Sequence, residues 1–358
     1  MQLFINILGI YVNKNNKPLT LKKVAEILSC STATISNAFN RPDQLSASLR
    51  ERILTECKRI GYHGPNITAR TLRKGESGVI GVLLSDALTY HFTDPVANQF
   101  LQGISEILEQ NNKQLLLLSS ATGEKTSTGI ESLPDGFIVY GNQENSRLFE
   151  RVVQQGKSMV TVDFDSSDYA SINIDNFQAA YDIGNHVFVS EPMQPAILGL
   201  KLIHSDRVCR ITKAELLQES QSISRRRLNG YLSAAKANNV EISCNRIWHI
   251  PENDYQLAYQ AAHEALTSLP MPDALICMSD IIAIAAMAVA RELKLDVPDI
   301  VKIVGFDDIP EAARVSPPLT TVCQRNKEKG KVAAEKLLAG ELSQNTILPS
   351  QLVVRLSS

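Results

Sequence analysis

From Val79 to the last residue, short β-branched apolar runs alternate with longer amphipathic stretches, a pattern that few folds accommodate. The strand candidates are Val79–Leu84, Gln114–Leu118, Gly136–Tyr140, Ser158–Val162, Ala196–Leu200, Arg246–Ile250, Ala274–Cys277 and Val301–Phe306. Between them lie helical patterns at Val96–Gln110, Ser146–Gln155, Phe177–Phe188, Arg225–Ala237, Tyr255–Ser268 and Ile281–Leu293. Such alternation implies α/β architecture, with parallel sheets covered on both faces. A closed eight-strand barrel would use the same alternation. The number of units favours two doubly wound lobes, with a ligand beyond the strand carboxyl ends in a cleft between them.

The residues before this region differ in charge. Residues 1–78 hold twelve Lys/Arg against five Asp/Glu, a net of +7, whereas the other 280 hold 24 against 33, a net of −9. A small basic head on a larger acidic body fits a polyanion contact made by the head alone. A hydrophobic share of 44% supplies a sizeable core and excludes global disorder. The six cysteines (Cys30, Cys57, Cys209, Cys244, Cys277 and Cys323) are scattered, with no C-x-x-C and no close Cys/His grouping. That usage fits reduced cytosolic thiols and speaks against a zinc site. The apolar stretch Leu3–Val12 contains Asn6 and Gly9, lacks a preceding basic residue, and is too short to cross a bilayer. The expectation is a cytoplasmic protein without membrane contact.

Within the head, Thr20 precedes the apolar-periodic run Leu21, Val24, Ala25, Ile27, Leu28 and is placed to cap that helix. Ser29-Cys30-Ser31 breaks the run, and Ser31 can cap a second helix over about Thr32–Asn40. This helix buries Ile35, Ala38 and Phe39 and exposes Thr32, Ala33, Ser36 and Asn37. After the loop Arg41–Leu45, Ser46 or Ser48 caps a third helix with Leu49, Ile53, Leu54, Cys57 and Ile60 inward, closed by Gly61. Two short helices across a tight turn, the second with a small polar face, describe a helix-turn-helix. A generic three-helix knot would carry the same hydrophobic spacing.

The residues themselves are more specific than their spacing. Thr20-Leu21-x-x-Val24-Ala25, Ser31-Thr32-Ala33-Thr34-Ile35-Ser36-Asn37-Ala38-Phe39-Asn40, Gly61-Tyr62 and Pro65-Asn66 together closely resemble the lactose/galactose repressor (LacI/GalR) family. The resemblance implies base reading by Thr32, Ala33 and Asn37. It implies phosphate or turn-fixing roles for Ser31, Thr34, Ser36 and Asn40, with Thr20 in the same DNA-binding set. Asn37 can pair bidentately with an adenine edge; Thr32 offers a hydroxyl and a methyl, and Ala33 only an apolar touch, as on a thymine methyl. Readout therefore leans on van der Waals fit and DNA shape. Residues 65–75, alone too short for a stable helix in water, match the family's hinge helix, which orders on DNA. Asn66 and Arg70 belong to its contact set, Ala69 lets two hinges approach, and Leu72 matches the leucine that wedges between base steps. Without the resemblance this segment reads as a flexible linker.

The resemblance continues through the body, to periplasmic-binding-protein-like effector domains. It is carried by Asp94-Pro95, Val162-Asp163, Ile174-Asp175-Asn176, Arg227-Leu228-x-Gly230-Tyr231, Met278-Ser279-Asp280, Val304-Gly305-Phe306-Asp307-Asp308 and Pro317-Pro318-Leu319-Thr320-Thr321. It implies effector contacts at Asp163, Arg227, Ser279, Asp307 and Tyr255, with Tyr90, His91, Phe92 and Asp94 on the other cleft wall. An arginine fork, carboxylates and an aromatic platform suit a polyhydroxylated or heterocyclic ligand. Arg225 and Arg226 read as solvated neighbours of an inward Arg227, and Trp248 as core. Ser119–Gly129 is polar and glycine-punctuated, so the helix that relatives carry there is expected to be shortened or replaced by loop.

The expected organisation is an N-terminal extension at 1–19 and a helix-turn-helix head at 20–64, then a hinge at 65–77 and an effector domain at 78–358. Lobe 1 of that domain spans about 78–175 and 320–341, and lobe 2 about 176–319 and 342–358. No G-x-S-x-G, Walker loop, H-E-x-x-H or helix-opening G-x-G-x-x-G is present, and the six histidines form no ligand spacing. No cofactor, metal or catalytic residue is expected. The partners implied are a double-stranded DNA operator, a small-molecule effector and a second copy in a homodimer. A carrier or enzyme on the same two-lobed fold, without DNA function, is the alternative.

Overall fold

The structure, a computed structural model, describes residues 19–64, 75–121, 129–143, 146–166, 168–189, 193–217, 220 and 222–358. Along the chain it divides into two compact units, Met1–Ser77 and Gly78–Ser358. The expected hinge residues Asn66, Ala69, Arg70 and Leu72 lie outside the described residues, as does the extension up to residue 18.

The first unit holds α1 (Leu21–Ile27), α2 (Thr32–Asn40) and α3 (Ala47–Arg59). Each begins where a hydroxyl can accept an orphan first-turn N–H: Thr20 from Lys23 at 3.3 Å, Ser31 from Thr34 at 2.9 Å and Ser46 from Leu49 at 3.4 Å. Val24, Ala25, Ile35, Ala38, Ile53, Cys57 and Tyr62 form a small buried core. The Arg50 side chain donates to the Ala38 carbonyl at 3.1 Å, tying α3 to the last turn of α2. Phe39 meets Tyr62 edge-on at 5.8 Å, so the segment after α3 closes over the end of α2.

The second unit has two sheets. Strands β1 (Val79–Leu84), β2 (Gln114–Ser119), β3 (Gly136–Tyr140), β4 (Ser158–Val162) and β5 (Ala170–Ile174) build the first lobe. Helices α4 (Leu88–Thr93), α5 (Pro95–Gln110) and α6 (Arg147–Gln154) connect them. The second lobe contains α7 (Asn176–Val187), β6 (Ala196–Leu200), β7 (Cys209–Arg210), α8 (Lys213–Leu216), α9 (Ile223–Ala237) and β8 (Ile247–Ile250). It continues with α10 (Tyr255–Leu266), β9 (Ala274–Cys277), α11 (Asp280–Glu292) and β10 (Lys302–Val304). The chain ends with β11 (Thr321–Cys323), α12 (Asn326–Ala339), β12 (Thr346–Leu348) and β13 (Gln351–Val353).

The first sheet runs β12-β5-β4-β3-β1-β2 and is parallel throughout. The second runs β10-β9-β6-β8-β7, parallel except for the β7 edge. The β11–β13 pair is antiparallel and separate. Each open sheet reverses its order beside a central strand, which places a crevice beyond the carboxyl ends of β1, β3 and β4 in one lobe and β6 and β9 in the other.

Two organisational expectations need correction. Residues 342–358 do not all belong with the second lobe: Thr346–Leu348 forms the edge of the first sheet beside β5. The chain therefore crosses between lobes near residue 175, between β11 and α12, and again between β12 and β13. The sequence hides this because β12 has three residues with Ile347 exposed, too short and too wet for an apolar signal. Arg225 is not solvated. It is buried, and its guanidinium donates to the Leu216 and Glu215 carbonyls at 3.0 and 2.9 Å, pinning the end of α8. Between β2 and β3 the described residues hold only a single 3₁₀ turn, Ile130–Ser132, and residues 122–128 lie outside them. Trp248 is core, fully buried on β8, with Nε1 donating to Glu264 at 3.2 Å.

Candidate functional site

On the head, α2 turns Ile35 and Ala38 into the core and leaves Thr32 and Ala33 exposed, with Ser36 and Asn37 half-buried. The Ser31 and Thr34 hydroxyls lie 2.8 Å apart, so both are spent on the helix start. Asn40 donates to the Ser36 carbonyl at 2.9 Å and serves its own helix. Thr32, Ala33 and Asn37 keep their side chains out of these local bonds. They form a small, uncharged face on a helix whose start is fixed by a cap.

In the second unit, α4 and the α5 start follow β1 and bring Tyr90, His91 and Asp94 to the first-lobe wall. Asp94 caps α5, accepting from Val96 and Ala97 at 3.4 and 3.1 Å. Burial raises its pKa. Asp163 follows β4 with φ at +53°, and Asp307 follows β10 with φ at +129°, both in the left-handed region that side chains avoid. Such backbone costs about 1–3 kcal/mol per residue and persists where surrounding contacts over-determine it. Here it aims two carboxylates off their strand ends.

Arg227 comes from the second turn of α9 and is buried. Its Nε donates to Asn176 Oδ1 and one terminal nitrogen to the Met278 carbonyl, both at 2.9 Å. The same nitrogen lies 3.8 Å from Asp307 Oδ1, and the guanidinium carbon lies over the Phe306 ring, 3.7 Å from its centre. Burial drives Asp307 well above the ordinary carboxylate range, while Arg227 pulls the other way. Ser279 caps α11 through Ile282 N at 3.1 Å and lies 2.6 Å from Asn253 Oδ1.

The cluster spans both lobes. Tyr90 has a raised pKa, first from burial and then from Asp94, with Asp307 also acting on it and Asn253 hydrogen-bonded to it. Tyr140, stacked on Phe100 at 4.4 Å, is also raised, mainly by burial, with contributions from Asp163, Asp94 and Asp307. The structure thus brings together Tyr90, Asp94, Asp163, Arg227, Ser279 and Asp307. It leaves Phe92 and Tyr255 exposed, and no hydrogen bond or ring contact among the described residues ties either to this cluster. At the flanks, ion pairs join the lobes: Lys201 to Asp86 at 3.4 Å and Arg226 to Asp165 at 2.9 Å.

Several participants escape a sequence reading. Lys329 is buried on α12 and holds both Asp163 oxygens at 2.8 and 2.9 Å. It also reaches Gln324 Oε1 at 3.2 Å, and Gln324 in turn donates to Asp307 Oδ1. Asn176, Asn253 and Tyr140 are likewise positioned by elements far apart in the chain. The one available signal for Lys329 was a lysine on a helix face otherwise filled by Gly330, Ala333, Ala334 and Leu337. Among the described residues no group of His, Cys, Asp and Glu could hold a metal ion.

A basic helix-turn-helix head joined to a two-lobed sensor defines a ligand-responsive transcription regulator. Comparison with known proteins agrees. The model of a periplasmic-binding-protein-like domain matches residues 210–358. The HTH-type transcriptional regulator Rv3575c of Mycobacterium tuberculosis is 34% identical over 325 residues, covering 89% of this chain and 90% of its own. The chain belongs to the LacI/GalR family of helix-turn-helix transcription regulators. The HTH-type transcriptional repressor CytR of Escherichia coli is 27% identical over 91% of this chain and 90% of its own. The solved transcriptional regulator CelR–cellobiose complex has the same fold, with a TM-score of 0.66 at 21% identity, over 95% of this chain and 100% of that one.

Proposed function

We propose that this regulator acts in the cytoplasm as a homodimer on a near-palindromic operator, with a sugar-like or nucleoside-like effector between its lobes. It reads bases through Thr32, Ala33 and Asn37, and places Leu72 of each hinge in the minor groove. Thr20, Ser31, Thr34, Ser36, Asn40, Asn66 and Arg70 supply phosphate contacts and orientation, and the lysines and arginines of the basic head make binding salt-dependent. The cellobiose held by the CelR relative supports a sugar-like ligand for this cleft. The observation that carries the reading is the junction of Arg227 and Asp307 from one lobe with Asp94, Asp163 and Tyr90 from the other. A ligand spanning them stabilises one lobe arrangement over another, and so biases whether two hinges can pair on DNA. The flanking pairs Lys201–Asp86 and Arg226–Asp165, partly exposed, add at most about 1 kcal/mol each, leaving the balance to the ligand.

The test is selection of bound duplexes from a randomised library with the full chain, repeated with Leu72→Ala. The expected result is one enriched palindrome, bound more weakly by the variant. No enriched site at low or moderate salt would defeat the operator reading.

A further inference from the structure

Proteins hold phosphate groups chiefly with unspent cations and with open helix N-termini. Among the described residues every cation of the cleft already has partners, and the longer helix starts are capped but for one. An ammonium has three donors. Those of Lys329 go to Asp163 Oδ1, Asp163 Oδ2 and Gln324 Oε1, and its side chain is 1% exposed. Arg227 gives Nε to Asn176 and one terminal nitrogen to the Met278 carbonyl, lies over the Phe306 face and faces Asp307 at 3.8 Å, so the donors it keeps for a ligand stand beside an acidic side chain. Lys201 and Arg226, at the flanks, are each paired with a carboxylate of the other lobe.

The helix starts are closed as well. Asp94 caps α5, Asp175 caps α7, Asp254 caps α10 and Ser279 caps α11. Among the described helices of eight residues or more, only α12 begins without a side-chain cap, and its first turn already carries Glu328; the short α4, preceded by Ala87, is uncapped as well. A phosphate dianion would meet the Asp163 carboxylate and the buried acidic groups of Asp94 and Asp307, with Lys329 fully occupied and Arg227 already beside Asp307, and would lose its hydration for little in return. What the cleft does present is fixed acceptors. Asp163 is clamped by Lys329, and Asp307 is held by Gln324, so the chain Asp163–Lys329–Gln324–Asp307–Arg227 runs from one lobe to the other through the β11–α12 crossover. Carboxylate acceptors select O–H and N–H donors.

We propose that Lys329 is a positioning residue of the effector site, locking Asp163 and, through Gln324, Asp307 as fixed acceptors, so that the cleft takes an uncharged polyhydroxylated ligand and rejects its phosphate ester. This rests on the reading of the cleft as an effector site.

The experiment is calorimetric titration of the full chain with D-ribose, D-glucose, cellobiose and adenosine, beside ribose 5-phosphate, glucose 6-phosphate and adenosine monophosphate. The expected result is binding of an uncharged member at least about tenfold tighter than its ester. Lys329→Met should lose about tenfold or more for that member. Because this variant strands the Asp163 carboxylate, Lys329→Met/Asp163→Asn is measured in parallel; it removes the stranded charge and is expected to fold yet still bind weakly. An ester binding as tightly as its parent overturns the proposal while leaving the effector reading standing. A double variant binding like the wild type overturns it by reducing Lys329 to a structural role. Failure of every compound to bind the wild type overturns both the proposal and the effector reading.

Discussion

Gly230 on α9 offers a direct test of how helix packing sets the effector site. A Cβ there would lie 2.4 Å from the Phe177 carbonyl oxygen, 2.8 Å from Ala180 Cβ and 3.0 Å from Tyr181 N. All three belong to α7, and none can swing aside, so Gly230→Ala must push the two helices apart. Reaching an ordinary C···O approach of about 3.3 Å requires about 0.9 Å. Overpacking of this kind costs about 1–3 kcal/mol, and the obstruction here is backbone, which places the cost at the upper end. The better helix propensity of alanine returns about 1 kcal/mol. The net loss is about 2 kcal/mol, a fall in Tm of about 4–8 °C for a unit of this size. The same movement would lengthen the 2.9 Å bond from Arg227 Nε to Asn176 Oδ1, which joins the same two helices, beyond hydrogen-bonding range. Thermal unfolding and effector titration should therefore both report damage. If Gly230→Ala proves as stable as the wild type or more so, as at an exposed helical glycine, the reasoning is wrong.

Ser31→Ala removes the cap that starts the recognition helix and should cost the head about 1 kcal/mol. Unfolding followed by a probe in the head should shift, while the second unit's transition stays put. Asp280 is buried at the start of α11, accepting from Thr321 Oγ1 and Ile309 N, and burial pushes its pKa up to about 6. Its folded pKa exceeds the unfolded value, so the folded state binds the extra proton between about pH 4 and pH 6. This group's contribution to stability therefore falls as pH rises through that window, by about 3 kcal/mol at most. Comparing urea midpoints of the wild type and Asp280→Asn across that range isolates the effect; equal pH slopes would show that Asp280 does not titrate there.

Much of the fold is legible because its signals are local. Thr20, Ser31 and Ser46 cap helices where hydroxyls precede apolar periods, and β1, β3, β4, β6 and β9 begin and end where the β-branched runs do. Strand β5 sits between β4 and the distant β12, β11 pairs with β13 beyond α12, and Arg225 is held by the carbonyls that end α8; no spacing rule announces these partners. The same division runs through the candidate site. Family motifs mark Asp94, Asp163, Arg227, Ser279 and Asp307 residue by residue, yet they equally mark Phe92 and Tyr255, which the fold leaves exposed.

The sequence by itself determined the class of fold, the basic head, the capped recognition helix and the types of side chain available to a ligand. Periodicity, capping and net charge are properties of neighbouring residues, and they survive in any reading of the chain. Only the tertiary structure decided which of those side chains remain free. Lys329 is spent on Asp163, Arg227 on Asn176 and Met278, and Asp94 on the start of α5. Those partners meet because three chain crossings fold two sheets against one cleft, and hydrogen-bond donors, once buried, must take whatever acceptor the packing brings them.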